Sequence, residues 1–285
     1  IRDRGLLEHF PDDLRNKKLL VYPEQGLGDY IQMLRYVEQL SSRGCQVILE
    51  CPDELYGLIQ SNINARLIRC GESIPEYDFQ CPIMDLMAYF HRYKSNITYP
   101  YIVADAEKVE YWKSRLGVTA KKRLGIAWSS ISSFKYDGRR SLHLSEFIEC
   151  LPMDEYELIC LQKVIKTEDL NLFSELGSIK FFGEELHDFS DTAALASCVD
   201  LVVSTCTSIP HLTGAMNIPT WVLLQHLPDW RWMLKRADTS WYPSMVLFRQ
   251  TQAFSWTEIL KTVKQSLLSF AEIESENKLG LNVRI

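Results

Sequence analysis

Short β-prone runs alternate with turns and helical patterns in two successive blocks, and this alternation constrains the fold more than anything else in the chain. Lys18–Tyr22 is the first run. The turn Pro23-Glu24-Gln25-Gly26-Leu27-Gly28-Asp29 follows, and then Ile31, Leu34, Val37 and Leu40 recur at helical spacing as far as Gly44. Val47–Glu50 reads as the next buried strand, so strand, glycine turn, helix and strand fill about the length of a parallel βαβ unit. Short strands are expected at Leu67–Arg69 and Asp78–Gln80, and a helix at Glu107–Leu116 that stops at Gly117. The basic stretch Lys121-Lys122-Arg123 marks the boundary, because the alternation starts afresh after it. Strands at Leu124–Trp128, Glu157–Leu161, Ile179–Phe182, Leu201–Ser204 and Thr220–Leu224 then alternate with helices. Those helices are expected at Leu144–Leu151, Thr167–Leu176, Asp191–Cys198 (capped by Asp191) and Thr207–Met216, with Trp256–Phe270 closing the chain. Repeated βα units in two blocks predict an α/β protein with two Rossmann-like parallel sheets.

Composition narrows the function classes. The chain has 285 residues, enough for two α/β domains, and 46% hydrophobic with 24% charged residues is ordinary for a packed globule. A formal net charge of -6 argues against a general nucleic-acid binder but leaves room for a local phosphate site. The eight cysteines show no C-x-x-C pair and no repeated spacing, which suggests reduced thiols in a core, hence cytoplasm, and makes a zinc site a poor expectation. The apolar runs are too short to span a bilayer.

Each motif falls where a strand gives way to a helix. Gly26-x-Gly28 invites a dinucleotide reading, with Glu50 near the place of a ribose-binding acid. Ile31 at the third glycine position speaks against it, and so does Asp29, which puts an anion where the pyrophosphate would sit. Asp29 is then either a helix cap or a general base that takes the proton of an attacking hydroxyl. Gln25, Gly26 and Gly28 would line the acceptor side. Ser129-Ser130-Ile131-Ser132-Ser133-Phe134-Lys135 and Arg139-Arg140-Ser141 follow a strand, and their hydroxyls and cations suit a diphosphate. A merely solvated loop is the alternative. In Ser204-Thr205-Cys206-Thr207-Ser208-Ile209-Pro210-His211, Thr207 is a natural N-cap, and the N–H groups after it face any docked phosphate, with His211 one turn in. Gln162 and Lys163 end a strand on the same edge, where Lys163 either reaches the phosphates or is an ordinary exposed lysine. Asp229-Trp230-Arg231-Trp232 offers aromatic rings for a sugar or base, or simply for the core.

Taken in order, Glu24-Gln25-Gly26-Leu27-Gly28-Asp29-Tyr30-Ile31-Gln32, Gly125-Ile126-Ala127-Trp128-Ser129, Leu161-Gln162-Lys163 and Asp188–Leu195 resemble the heptosyltransferase-like glycosyltransferases. So do Asp200–Ser204, Thr207-Ser208, His211-Leu212, Gly214-Ala215, Pro219–Leu224, Pro228–Trp232, Trp241-Tyr242-Pro243 and Leu247–Gln250. The likeness is strongest to the sugar-transferase domains found behind tetratricopeptide repeats in bacteria, and it covers nearly the whole chain. It implies the GT-B architecture, two Rossmann-like domains with parallel sheets facing a central cleft. Residues 1–119 would bind the acceptor and 120–256 the nucleotide sugar, and residues 257–285 would form a helix returning towards the first domain, and a tail. It further implies inverting chemistry with no required metal or other cofactor, Asp29 as base, and phosphates held by Ser129, Ser130, Lys135, Arg140, Thr207, Ser208 and His211, with Gln162 and Lys163 at hand. The partners implied are a nucleotide-sugar donor, a glycan or protein acceptor and an upstream repeat domain. Heptosyltransferases commonly carry Asp before the Thr that opens the last of these helices. Cys206 stands there in this chain, so the resemblance does not bring heptose with it. A non-catalytic module on the same fold, or a nucleotide-dependent oxidoreductase, are the rival classes.

Overall fold

A computed structural model describes residues 11, 13–92, 97–130 and 140–278. The first block forms strands β1 (Lys18–Tyr22), β2 (Gln46–Cys51), β3 (Arg66–Arg69) and β4 (Phe79–Pro82), all parallel, in the order β3-β2-β1-β4. Its helices are α1 (Leu27–Met33), α2 (Val37–Ser42), α3 (Asp53–Asn62), α4 (Asp85–Arg92) and α5 (Ala106–Leu116). The second block forms β5 (Lys122–Ala127), β6 (Tyr156–Cys160), β7 (Ile179–Phe181), β8 (Leu201–Thr205), β9 (Thr220–Leu224) and β10 (Met245–Arg249), again all parallel, in the order β10-β9-β8-β5-β6-β7. Helices α6 (Leu144–Phe147), α7 (Leu170–Leu176), α8 (Phe189–Ala196), α9 (Ser208–Ala215) and α10 (Thr257–Lys278) connect and flank them. The two sheets are separate, as the two blocks of βα units predict. Consecutive residues such as Leu19, Leu20 and Val21, or Leu201, Val202 and Val203, are fully buried, because helices cover both faces of a parallel sheet.

Several expectations need correction. The helix expected through Ile31–Leu40 is broken: α1 passes through a 3-10 turn, Leu34–Tyr36, before α2. Strand β10 and helices α3 and α4 were not anticipated. Helix α8 starts two residues before Asp191. Its N-cap is Asp188, which accepts from Ser190 N at 2.7 Å, while Asp191 sits three positions on and reaches back to Asp188 N. The closing helix was expected to turn towards the first half. The apolar side chains of α10, Ile259, Leu260, Val263 and Leu267, instead pack with Trp128, Phe147 and Tyr156 of the second block, and Tyr156 Oη donates to Leu267 O at 2.7 Å. The eight cysteines are all free, five of them in the core, with Cys70 exposed.

Two helices of the second block join the first core. Ala193 of α8 and Leu212, Ala215 and Met216 at α9 are buried with Tyr30, Ile31 and Leu34. The connecting segment is tied to α9 as well, since Tyr101 N donates to Ala215 O at 3.0 Å.

Candidate active site

The strand orders fix where a ligand can sit. In each sheet the chain builds outward on one side of its first strand and then crosses to the other. The crossover points lie at the C-terminal ends of β1, and of β5 and β8. At such points the connections of an open parallel sheet run to opposite faces, and this is where sheets of this kind take their ligands. The Gln25–Asp29 turn, the Ser129–Ser130 turn and the Thr205–Ser208 turn stand at these points.

Helices α1 and α9, one from each block, pack against each other. A Cβ at Gly28 would come within 2.7 Å of His211 Cδ2 and 3.3 Å of Ser208 Cα. Gly28 is therefore required by the packing of α9 on this turn. Gly26 begins α1, and its N–H donates to Asp29 Oδ2 at 2.9 Å. Asp29 thus caps its own helix with one oxygen. Gln25 is exposed and left-handed, at φ 62°, a conformation that costs a non-glycine residue about 1–2 kcal/mol.

The other oxygen of Asp29 accepts from Arg231 NH2. Arg231 is 4% exposed and Asp29 19%. The same guanidinium donates from NH1 to Asp229 Oδ1 and from Nε to Gln32 Oε1, both at 2.7 Å, and lies 4.6 Å from the centre of the Trp230 ring. Trp230 is half exposed and meets Trp241 edge to face, whereas Trp232 is buried and stacks on His211. The aromatic run after β9 therefore divides into one core ring and one ring open to a ligand.

His211 does not supply a cation. Burial pushes its pKa down to about 3, assisted by the positive charges of Arg231, Arg35 and Arg140, and Nδ1 is bonded to Tyr242 Oη at 2.9 Å. Thr207 is the N-cap of α9, accepting from Ile209 N at 3.3 Å, and Ser208 beside it is partly exposed. Cys206 Sγ accepts from Trp232 Nε1 at 3.0 Å, and burial raises its pKa, so the thiol is a packing group. Ser130 Oγ accepts from Arg140 NH2 at 3.2 Å. Ser129 is buried, and Gln162 ties its turn to β6: Oε1 accepts from Trp128 N at 2.6 Å and from Ser129 N at 3.0 Å. Gln162 therefore shapes the turn and spends its carbonyl doing so. Lys163 Nζ is occupied by His187 O at 2.9 Å. Lys135 lies outside the described residues.

Three residues that matter were not singled out in the sequence. Arg231 was quoted only as part of an aromatic run. Gln32 joins it to Arg35, whose Nε donates to Gln32 O at 2.7 Å. Arg35 is buried among Tyr99, Tyr101, Trp241 and Tyr242 and donates to Tyr99 Oη at 2.8 Å and Trp241 O at 2.9 Å. An arginine inside a helical pattern reads as surface, and only its distant aromatic partners reveal otherwise.

No protein-family model matches the chain. Protein FlbA of Caulobacter vibrioides is 24% identical over 291 residues, and the chain spans about half of it, 48% of its length against 91% of this chain. Among solved structures, the E. coli ADP-heptose LPS heptosyltransferase II aligns at a TM-score of 0.62 with 12% identity, over 90% of this chain and 99% of that one. A glycosyl transferase family 9 protein from Veillonella parvula aligns at 0.60 with 11% identity, over 92% and 98%. The dodecameric glycosyltransferase TibC of enterotoxigenic E. coli aligns at 0.58 with 12% identity, over 94% and 78%. TibC is iron-containing, which overturns the expectation that this architecture implies freedom from metal. Among the described residues no group of three or more His, Cys, Asp or Glu is placed to hold a metal ion, so they do not fit an iron centre. No helix among the described residues is long and apolar enough to cross a membrane. The chain has the two-sheet α/β fold of the heptosyltransferases and of glycosyl transferase family 9.

Proposed function

We propose that this protein is an inverting glycosyltransferase that moves a sugar from a nucleoside-diphosphate sugar to a hydroxyl of a glycan or protein. One observation carries the reading. Gly28, next to Asp29 at the crossover of the first sheet, packs on Ser208 and His211 at the start of α9, at the crossover of the second, which supports a carboxylate and an anion-binding helix start sharing one site. In a single displacement the acceptor oxygen attacks the anomeric carbon and its proton passes to Asp29. The bond from that carbon to the diphosphate oxygen breaks, and its electron pair leaves with the phosphate. One displacement inverts the centre. The N–H groups at the start of α9, the Ser129–Ser130 turn and Arg140 would hold the departing diphosphate, the positions where fixed donors act best on developing charge. On this reading residues 1–119 take the acceptor and residues 120–256 the donor, across a cleft between the sheets. The E. coli structural neighbour is an ADP-heptose enzyme, which makes ADP-sugars the first donors to try.

A non-catalytic sugar-nucleotide binder is the second reading, favoured by the engagement of both Asp29 oxygens. A panel of ADP-, GDP- and UDP-sugars, followed by melting temperature and by nucleoside diphosphate release, separates the two. Release with one donor supports transfer. Stabilisation without release supports the binder, and no response to any donor removes both.

A further inference from the structure

Arg231 holds more than one partner can need. Its guanidinium serves two carboxylates, Asp29 and Asp229, and the amide of Gln32, while 4% exposed. Asp229 and Gln32 anchor it on the NH1 and Nε sides, leaving NH2 as the arm that reaches Asp29. Its charge, with that of Arg140, acts on both Cys206 and His211. Polar groups at this seam are incompletely served. Gln32 Nε2 and Thr205 Oγ1 are fully buried and have no hydrogen-bond partner. Buried polar atoms without partners are rare and costly, and here they sit beside the cation and at the first residue of the turn.

We propose that Arg231 changes partners when the donor binds, releasing Asp29 for the acceptor. This rests on the reading above, in which a diphosphate occupies the β8–α9 turn. A diphosphate carries more charge than one carboxylate, so its oxygens compete well for a charge-assisted bond from the NH2 arm. The guanidinium is rigid and stays where Asp229 and Gln32 hold it; a diphosphate oxygen takes the place of Asp29 Oδ1 on NH2 as the carboxylate pivots about its bond from Gly26 N. The exchange makes and breaks hydrogen bonds only. Asp29 Oδ1 is then open to the acceptor hydroxyl while Oδ2 stays on Gly26 N, so the carboxylate remains aimed. The base becomes available only on the donor-loaded protein, and donor therefore binds before acceptor.

A binding cycle tests the exchange without reference to turnover. Calorimetry with ADP and with inorganic pyrophosphate, which has no base, is run on the wild type, D29N, R231Q and the D29N/R231Q pair. R231Q weakens both probes about 10-fold or more, the loss of one charge-assisted contact. D29N removes Arg231's competing partner and tightens both probes by about 3- to 10-fold. In the R231Q background the D29N gain disappears. A gain of equal size in that background means that only the field of the lost charge is felt, and overturns the exchange. So does an unchanged affinity in R231Q. If R231Q melts too low to use, the cycle is run with R231K, which keeps the charge but loses the anchored NH2 arm and is expected to give less than half the coupling. Full coupling in R231K refutes the exchange at NH2. Failure of the wild type to bind either probe removes the donor site itself, and binding without coupling removes only the exchange.

Discussion

Replacing Gly28 by alanine tests the contact that brings the Gln25–Asp29 turn to the start of α9. The added Cβ would lie 2.7 Å from His211 Cδ2 and 3.3 Å from Ser208 Cα, and neither atom can easily move aside. The histidine ring is held by Tyr242 and stacked on Trp232, and the serine atom is backbone at a helix start. Forcing a methyl into a packed contact of this kind costs about 1–3 kcal/mol. Alanine's better helix propensity returns less than about 1 kcal/mol, so the net loss is about 1–2 kcal/mol. For a chain of this size that lowers Tm by roughly 2–8 °C. Scanning calorimetry or circular dichroism measures it, and the H211A background supplies the control. With the ring removed the nearer of the two clashes is gone, so G28A should cost clearly less there than in the wild type. An unchanged or raised Tm for G28A alone, or an equal loss in both backgrounds, would refute the close packing of α1 on α9.

Asp169 accepts from Trp128 Nε1 at 2.7 Å and from Leu144 N at 3.0 Å inside the core, so D169A should cost about 2–4 kcal/mol in denaturant unfolding, and a loss below about 1 kcal/mol would contradict that role. Because the His211 pKa is about 3 when folded against 6.5 for an ordinary histidine, the unfolded chain binds the extra proton between those values. Its contribution to stability is therefore complete above about pH 6.5 and is lost as pH falls towards about 3, and stability-against-pH curves of wild type and H211Q should converge towards acid; parallel curves would refute the buried neutral ring. Gln25 sits at φ 62°, so Q25G should leave stability unchanged or raise it by up to about 1 kcal/mol, and a clear loss would mean that the side chain is doing structural work.

Much of the scaffold could be read from local pattern. Lys18–Tyr22 and Thr220–Leu224 form strands over the very residues expected, because buried parallel strands are unbroken apolar runs closed by turn residues. Thr207 caps α9 as foreseen, since an N-cap is decided within four residues. Asp191 was given the cap that belongs to Asp188, because two acids three apart read equally well as the two ends of one capping box. Relations between distant residues were not legible. Asp29 and Arg231 are 202 positions apart, and the glycine rule that suggested a phosphate turn at Gly28 in fact records the approach of a helix from the other half of the chain. Likewise His211 looked like a phosphate ligand by position, and only the packing of Trp232 and Tyr242 shows it buried and neutral.

The role of Asp29 is tested most directly by the turnover of D29N with whichever nucleotide sugar the wild type consumes. Asparagine is nearly isosteric and can still accept from Gly26 N, so fold and α1 should persist, and donor binding should be retained or tightened. Turnover should fall about 10²- to 10⁴-fold, the usual contribution of a general base. Near-normal turnover in a folded, donor-binding D29N protein would contradict the account and leave Asp29 as a helix cap paired with Arg231.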